Sequence, residues 1–153
     1  LEVLGGWPGA ALLRGSGPAY AAVSGAHILG IGLLLGAALP MDLRLIGAFS
    51  RVPQSVIVPF LSRLAATGLG FAVVTGIWLF TVNPVDYAAN PAMRLKAVML
   101  AAAIAMIAVQ HANPAFHAAR AGAPPAVSVR LVAALSGFLW LSILASGRWI
   151  GFA

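Results

Sequence analysis

Four long apolar runs, separated by short polar or proline-containing breaks, organise the chain. The first extends over about residues 19–39 and closes at Pro40, after which Met41-Asp42-Leu43-Arg44 returns to interfacial character. The second covers about 64–82, with Arg63 placed to snorkel at its start, Trp78 near its end and Asn83-Pro84 as its stop. The third follows Asn90-Pro91, where proline is preorganised for a first helical turn. Its apolar part covers about 97–113 and frays towards Pro114. The fourth, about 131–147, comes after the break from Ala121 to Pro125. Each run approaches the roughly 20 residues needed to cross a hydrocarbon core about 30 Å thick. The pattern predicts an all-α integral membrane four-helix bundle, one domain over residues 1–153.

Composition narrows what such a bundle can do. Hydrophobic residues make up 61% of the chain and charged residues 8%, against roughly 25% charged in soluble domains, so the natural surroundings are a lipid bilayer. The spans leave only loops and tails, with no room for a soluble catalytic domain. The net charge of +6 comes from nine basic residues scattered singly, which fits lipid headgroups and argues against nucleic acid. There is no cysteine, which removes disulfides, thiolate metal sites and cysteine nucleophiles. Only three acids are present. With no paired carboxylates, nucleotide-binding glycine loop or nucleophile constellation, hydrolytic chemistry is disfavoured and the chain reads as a non-enzyme before an enzyme. The first 18 residues lack a basic stretch leading into an apolar run, so they do not read as a signal peptide.

Basic residues divide five to four between the two ends. Arg44, Arg51, Arg63, Arg120 and Arg130 fall on one side, and Arg14, Arg94, Lys96 and Arg148 on the other. The positive-inside rule then places both termini on the outer side. Small residues recur at four-residue spacing in Gly32 and Gly36, in Ala72 and Gly76, and in Ala97, Ala101 and Ala105. Such stripes let helices approach closely, within the bundle or across a dimer.

The candidate chemistry centres on His27, which lies well inside the first span, where a polar ring is costly unless bonded or ligated. Ser24 and Gly30 flank it at i−3 and i+3, a hydroxyl and a notch for a flat ligand on one helix face. The imidazole suits an axial haem ligand, a copper ligand, a proton relay or an interhelical hydrogen bond. His111 and His117 fall at the far end of the third span, and Gln110, Asn113 and His117 continue a face begun by Met99 and Met106. At 1.5 Å per residue, His27 lies roughly 10 Å deep, His111 roughly 22 Å and His117 roughly 31 Å, so a bis-histidine haem between facing helices does not fit simply. Met106, roughly 15 Å deep by the same rise, or a second protomer offers a better second ligand. Tyr87, Arg94, Lys96 and Arg148 gather at the end that His27 faces and suit haem propionates or another anionic group. Asp42 and Arg44 bracket one turn at the opposite end and read as a local pair.

Several segments together resemble a bacterial four-helix membrane family of unknown function: His27-Ile-Leu-Gly30, Asp42-Leu-Arg-Leu-Ile-Gly47, Tyr87 to Lys96, Phe116-His117 and Gly147-Arg-Trp-Ile150. By helix number and first-helix histidine the chain is similar, more distantly, to CopD-type copper-resistance membrane domains and to four-helix b-type cytochromes. The resemblance implies His27 and His117 as polar centres, with Arg94, Lys96 and Arg148 as anion partners. The expected function is a bacterial inner-membrane protein that binds haem b through His27 and exchanges electrons with quinone or a partner redox protein. The alternatives are copper handling, in which His27 and the methionines Met99 and Met106 guide the ion and His111 and His117 are further metal candidates, and a non-catalytic accessory subunit of a larger membrane complex.

Overall fold

A computed structural model describes residues 2–149, with side chains over 3–146. Eight helices follow one another: α1 (Glu2–Gly5), α2 (Pro8–Gly15), α3 (Gly17–Ile46), α4 (Gln54–Phe80), α5 (Pro84–Ala89), α6 (Pro91–Ala112), α7 (Pro114–Arg120) and α8 (Val127–Trp149). Four of them, α3, α4, α6 and α8, are long and apolar enough to cross a membrane. Their outward faces carry Leu29, Phe60, Phe71, Val98, Leu131 and Phe138, all exposed. Helices apolar on every side belong in lipid, so the protein is an all-α, multi-pass membrane bundle.

The helix starts follow local chemistry. Ser16 Oγ accepts from Ala19 N at 3.3 Å, Asn90 Oδ1 from Ala92 N at 2.9 Å, and Asn113 Oδ1 from Ala115 N at 2.9 Å. In each case a proline occupies the first turn, where its missing N–H costs nothing. α3 ends at Gly47, whose φ of 124° lets its N–H turn back onto Leu43 and Arg44 carbonyls.

Three boundaries differ from the sequence reading. Pro40 does not close the first span: α3 runs through it to Ile46, and α4 likewise begins at Gln54 and runs through Pro59. A proline removes one helical hydrogen bond, a loss that packed membrane helices absorb. His117 does not extend the third span, because Asn113 ends α6 and caps the separate helix α7. The Met99-to-His117 stripe is therefore broken at Asn113.

Packing pairs α3 with α4, α3 with α8, and α6 with α8, while α7 closes one end against α4 and α8. Among the described residues α4 and α6 are not packed together. One core cluster, with Leu34, Ala37, Leu61 and Trp140, holds the middle of the bundle. A second, with Leu45, Val58, Phe116 and Val129, sits under α7. Gln54 ties that end together, donating to Ala119 O at 2.7 Å and Ala123 O at 3.1 Å. At the other end α1 and α2 fold over the exit of α4. There Trp7 Nε1 donates to Thr81 Oγ1 at 2.9 Å, and Trp78 Nε1 to Gly9 O at 3.0 Å.

The small residues are placed differently from their spacing alone. Gly32, Gly36, Ala97, Ala101 and Ala105 all face outwards. The close helix crossing is made by Gly30 on α3 with Gly68 and the expected Ala72 on α4, where the two backbones touch, and the expected Gly76 continues that face against the His27 ring.

Candidate functional site

The unpacked space between α4 and α6 is a cleft whose floor is formed by α3 and α8. Its upper part, about 460 Å³, is bordered by His27 and Ile31 on α3, Ala72 on α4, Lys96 and Leu100 on α6, and Trp140 on α8. That volume lies within the roughly 300–1,000 Å³ of small-molecule sites, and the lining has their usual character: apolar walls with a few polar groups. A lower part of about 330 Å³ shares Leu34, Leu69 and Trp140 with the first and reaches Ser62, His111 and Ser136.

His27 is held by a directed chain of hydrogen bonds. Its Nδ1 lies 3.0 Å from Thr75 Oγ1, and Thr75 Oγ1 lies 2.5 Å from the Phe71 carbonyl. A carbonyl only accepts, so the single hydroxyl proton of Thr75 goes to Phe71 and the hydroxyl must accept from His27. The ring proton therefore sits on Nδ1 and the Nε2 lone pair stays free. Metal-bound histidines are typically oriented by such a bond from the other ring nitrogen. Gly76 makes room for the ring: a Cβ there would stand 2.9 Å from His27 Cε1. The notch at Gly30 serves another purpose, since a Cβ there would meet Ala72 N at 2.8 Å. It is filled by α4 and is not open to a ligand.

The other sequence candidates separate into groups. Lys96 shares the cleft with His27. Arg94 is exposed and donates through Nε to Ala88 O at 2.6 Å. Tyr87, on α5, packs against Phe80 with ring centroids 6.0 Å apart. Its hydroxyl is raised above the usual phenol range by burial, and further by the neighbouring Tyr20. The Arg148 side chain lies outside the described residues.

His111, His117 and Met106 lie at the opposite end from His27. His111 Nδ1 donates to Ile107 O at 2.9 Å, His117 Nε2 donates to His111 O at 2.7 Å, and both rings pack on Phe116. Met106 borders a separate small cavity with Asp42, Gln110 and Ser136. His27 and a second histidine or methionine do not share a cavity among the described residues, nor do three His, Asp or Glu groups cluster to hold a metal.

Asp42 and Arg44 do not pair. Residues two apart on a helix point in different directions, so Asp42 is buried against α8 while Arg44 Nε donates to Val52 O at 3.1 Å. The apolar run around Asp42 gave only a weak signal of that burial. A lone acid in a chain with three was the available clue.

Fold and site define a class: a four-span, all-α integral membrane protein with a lateral cleft beside a half-buried, oriented histidine. The chain belongs to the family of unknown function DUF6644, whose profile matches residues 10–153. Comparison with curated proteins and with solved structures finds no match.

Proposed function

We propose that the protein is a membrane-embedded electron-transfer protein or redox subunit that binds haem b in the cleft, with His27 Nε2 as axial ligand. The observation that carries this reading is the His27–Thr75–Phe71 chain, which leaves an unprotonated nitrogen beside an apolar cleft. Lys96 at the same cleft supplies the cation for a propionate, and Trp140 forms part of the floor. The haem supplies one-electron chemistry when bound. The chain's own residues orient the ligand, exclude water and hold the anionic edge. Besides His27, the upper part of the cleft is bordered by no histidine or methionine among the described residues, so a second ligand would come from a small molecule or a neighbouring chain. The analogy to four-helix b-type cytochromes, through helix number and first-helix histidine, supports the same reading, whereas that to CopD-type domains favours the copper alternative. Quinone or a partner redox protein is the proposed electron partner.

The full chain, purified in detergent from haem-replete cells, should show a Soret band that disappears in His27→Ala. A colourless wild-type preparation overturns the proposal. Copper found without a haem spectrum, and lost on replacing Met106, points to copper handling instead. That alternative is less well supported, because His27 and Met106 border different cavities.

A second reading, the accessory subunit, rests on the cleft itself: α4 and α6 stand apart, leaving an apolar trough that suits a partner's helix. Stoichiometric co-purification with other membrane subunits, unaffected by His27→Ala, favours it. We place the protein in the bacterial inner membrane with both termini periplasmic. The chain has no cysteine, so single cysteines introduced at Arg51 and Asp86 report orientation directly. An impermeant maleimide should label the second and spare the first in intact spheroplasts.

A further inference from the structure

The end of the bundle away from His27 holds an imbalance of hydrogen-bonding groups. Asp42 is 3% exposed and Gln110 7% exposed, and Asp42 Oδ2 and Gln110 Oε1 are both buried without a partner among the described residues. Both residues border one cavity of about 40 Å³, together with Ser136 and His111. Gln110 Nε2 is directed away, towards Val129 O at 3.4 Å. His111 gives its Nδ1 proton to Ile107 O, so its neutral ring has only an acceptor left. The Ser136 hydroxyl, beside the Asp42 carboxyl, is then the one proton donor facing three acceptor groups.

Unpaired buried acceptors are costly, and a buried carboxylate without a counter-charge more so. Among the described residues no arginine supplies that charge, and Arg51, in the connection between α3 and α4, is exposed. On α3, Arg44 is turned to Val52; on α7, Arg120 lies over the Phe116 ring at 5.8 Å; on α8, Arg130 donates to Pro125 O. Arg63 on α4 is exposed, and His117 on α7 is bonded to His111 O. The missing partner is therefore a cation or its proton equivalent. A water needs at least about 10–15 Å³ of such volume, so the cavity has room for a small ion or a few waters, of which only the ion, or a proton, balances the carboxylate charge. One carboxylate matches a single positive charge, and divalent calcium prefers six to eight oxygens with several carboxylates.

We propose that Asp42, Gln110, Ser136 and His111 form a buried monovalent-cation site in which a sodium ion and a proton compete for the Asp42 carboxylate. An ionisable residue inside a membrane protein commonly marks an ion or proton path. The lower cleft adjoins this site through Met41, Ile107, His111 and Ser136. The site is distinct from the haem reading, because none of its four residues borders the upper part of the cleft, which His27 lines.

The test is thermal unfolding of the purified full chain in sodium chloride and in choline chloride at equal ionic strength, on both sides of neutrality. Sodium should raise the midpoint by a few degrees in mildly alkaline buffer, and the gain should fade in mildly acidic buffer as the proton takes the carboxylate. Asp42→Asn should remove the sodium dependence. Gln110→Leu, which keeps the charge, should weaken apparent sodium affinity at least tenfold and serves if Asp42→Asn does not fold. His27→Ala should leave the sodium effect intact. Equal midpoints in sodium and choline at every pH, or a sodium effect that survives both site variants, overturn the proposal.

Discussion

Gly30 on α3 and Gly68 on α4 bring two backbones into direct contact: a Cβ on Gly68 would stand 2.8 Å from Gly30 O and 2.9 Å from Leu34 Cα. Backbone cannot step aside as a side-chain tip can. Gly68→Ala should therefore separate α3 and α4 and destabilise the bundle by about 1–3 kcal/mol, the usual range for overpacking. Gly32→Ala is the matched control, since nothing lies within 4 Å of that position. Unfolding midpoints in detergent should fall for the first variant and stay within a degree or two for the second. Equal behaviour would place the crossing elsewhere.

The same interface orients the candidate ligand, through Thr75. Thr75→Val keeps the shape but removes the acceptor for His27 Nδ1–H, leaving a donor unsatisfied at about 1–3 kcal/mol. Loss of such an orienting partner typically weakens metal binding about 10–100-fold. Haemin titration should show that loss in Thr75→Val, with Thr75→Ser close to wild type. Unchanged affinity in Thr75→Val would mean that the ring does not depend on this bond.

The membrane architecture was legible in the sequence because hydrophobic runs of span length report directly on what solvent a helix meets. Prolines misled because their cost is reckoned against a helix in isolation: Pro40 and Pro59 lie inside α3 and α4. Small residues misled for a related reason. Spacing shows that Gly32 and Gly36 share a face, but not that the face turns outwards. His27 could be singled out from its depth, yet its partner Thr75 is 48 residues away and had no sequence signature. Asp42 and Gln110 meet only because α6 and α3 both pack on α8, which is a tertiary fact.

Alkaline pH should expose the state of Tyr87, in the connection between α4 and α6. Its folded-state value lies above the ordinary 10.0 because burial disfavours the phenolate, and the adjacent Tyr20 adds to the effect. With the folded value above the unfolded one, the folded protein holds the proton longer. The contribution to stability is thus complete below pH about 10 and is lost as pH rises through the folded value. Tyr87→Phe cannot ionise, so its unfolding midpoint should fall less steeply than wild type above that pH. Parallel curves would show that Tyr87 is solvated like a free phenol.

The N-terminal helices make a claim about accessibility. Arg14 Nη1 donates to Val82 O at 3.1 Å and Nη2 to Gly5 O at 2.5 Å, so the guanidinium is a tie between α2 and the exit of α4. Trp7 and Trp78, with ring centroids 6.1 Å apart, complete the contact. The Trp7 indole lies so close over Gly9 that a Cβ at residue 9 would overlap it. The ring cannot swing away without giving up its bond to Thr81. Gly9→Ala should therefore undock α1 and α2 while leaving the four spans folded. Trypsin should then cut after Arg14 several-fold faster than in wild type, and the tryptophan emission should shift to the red as Trp7 becomes wet. Arg14→Met removes that cleavage site and one tie together, so the fluorescence shift alone should remain in the double variant. Equal trypsin rates and unshifted emission in Gly9→Ala would show that the N-terminal helices hold on by other contacts.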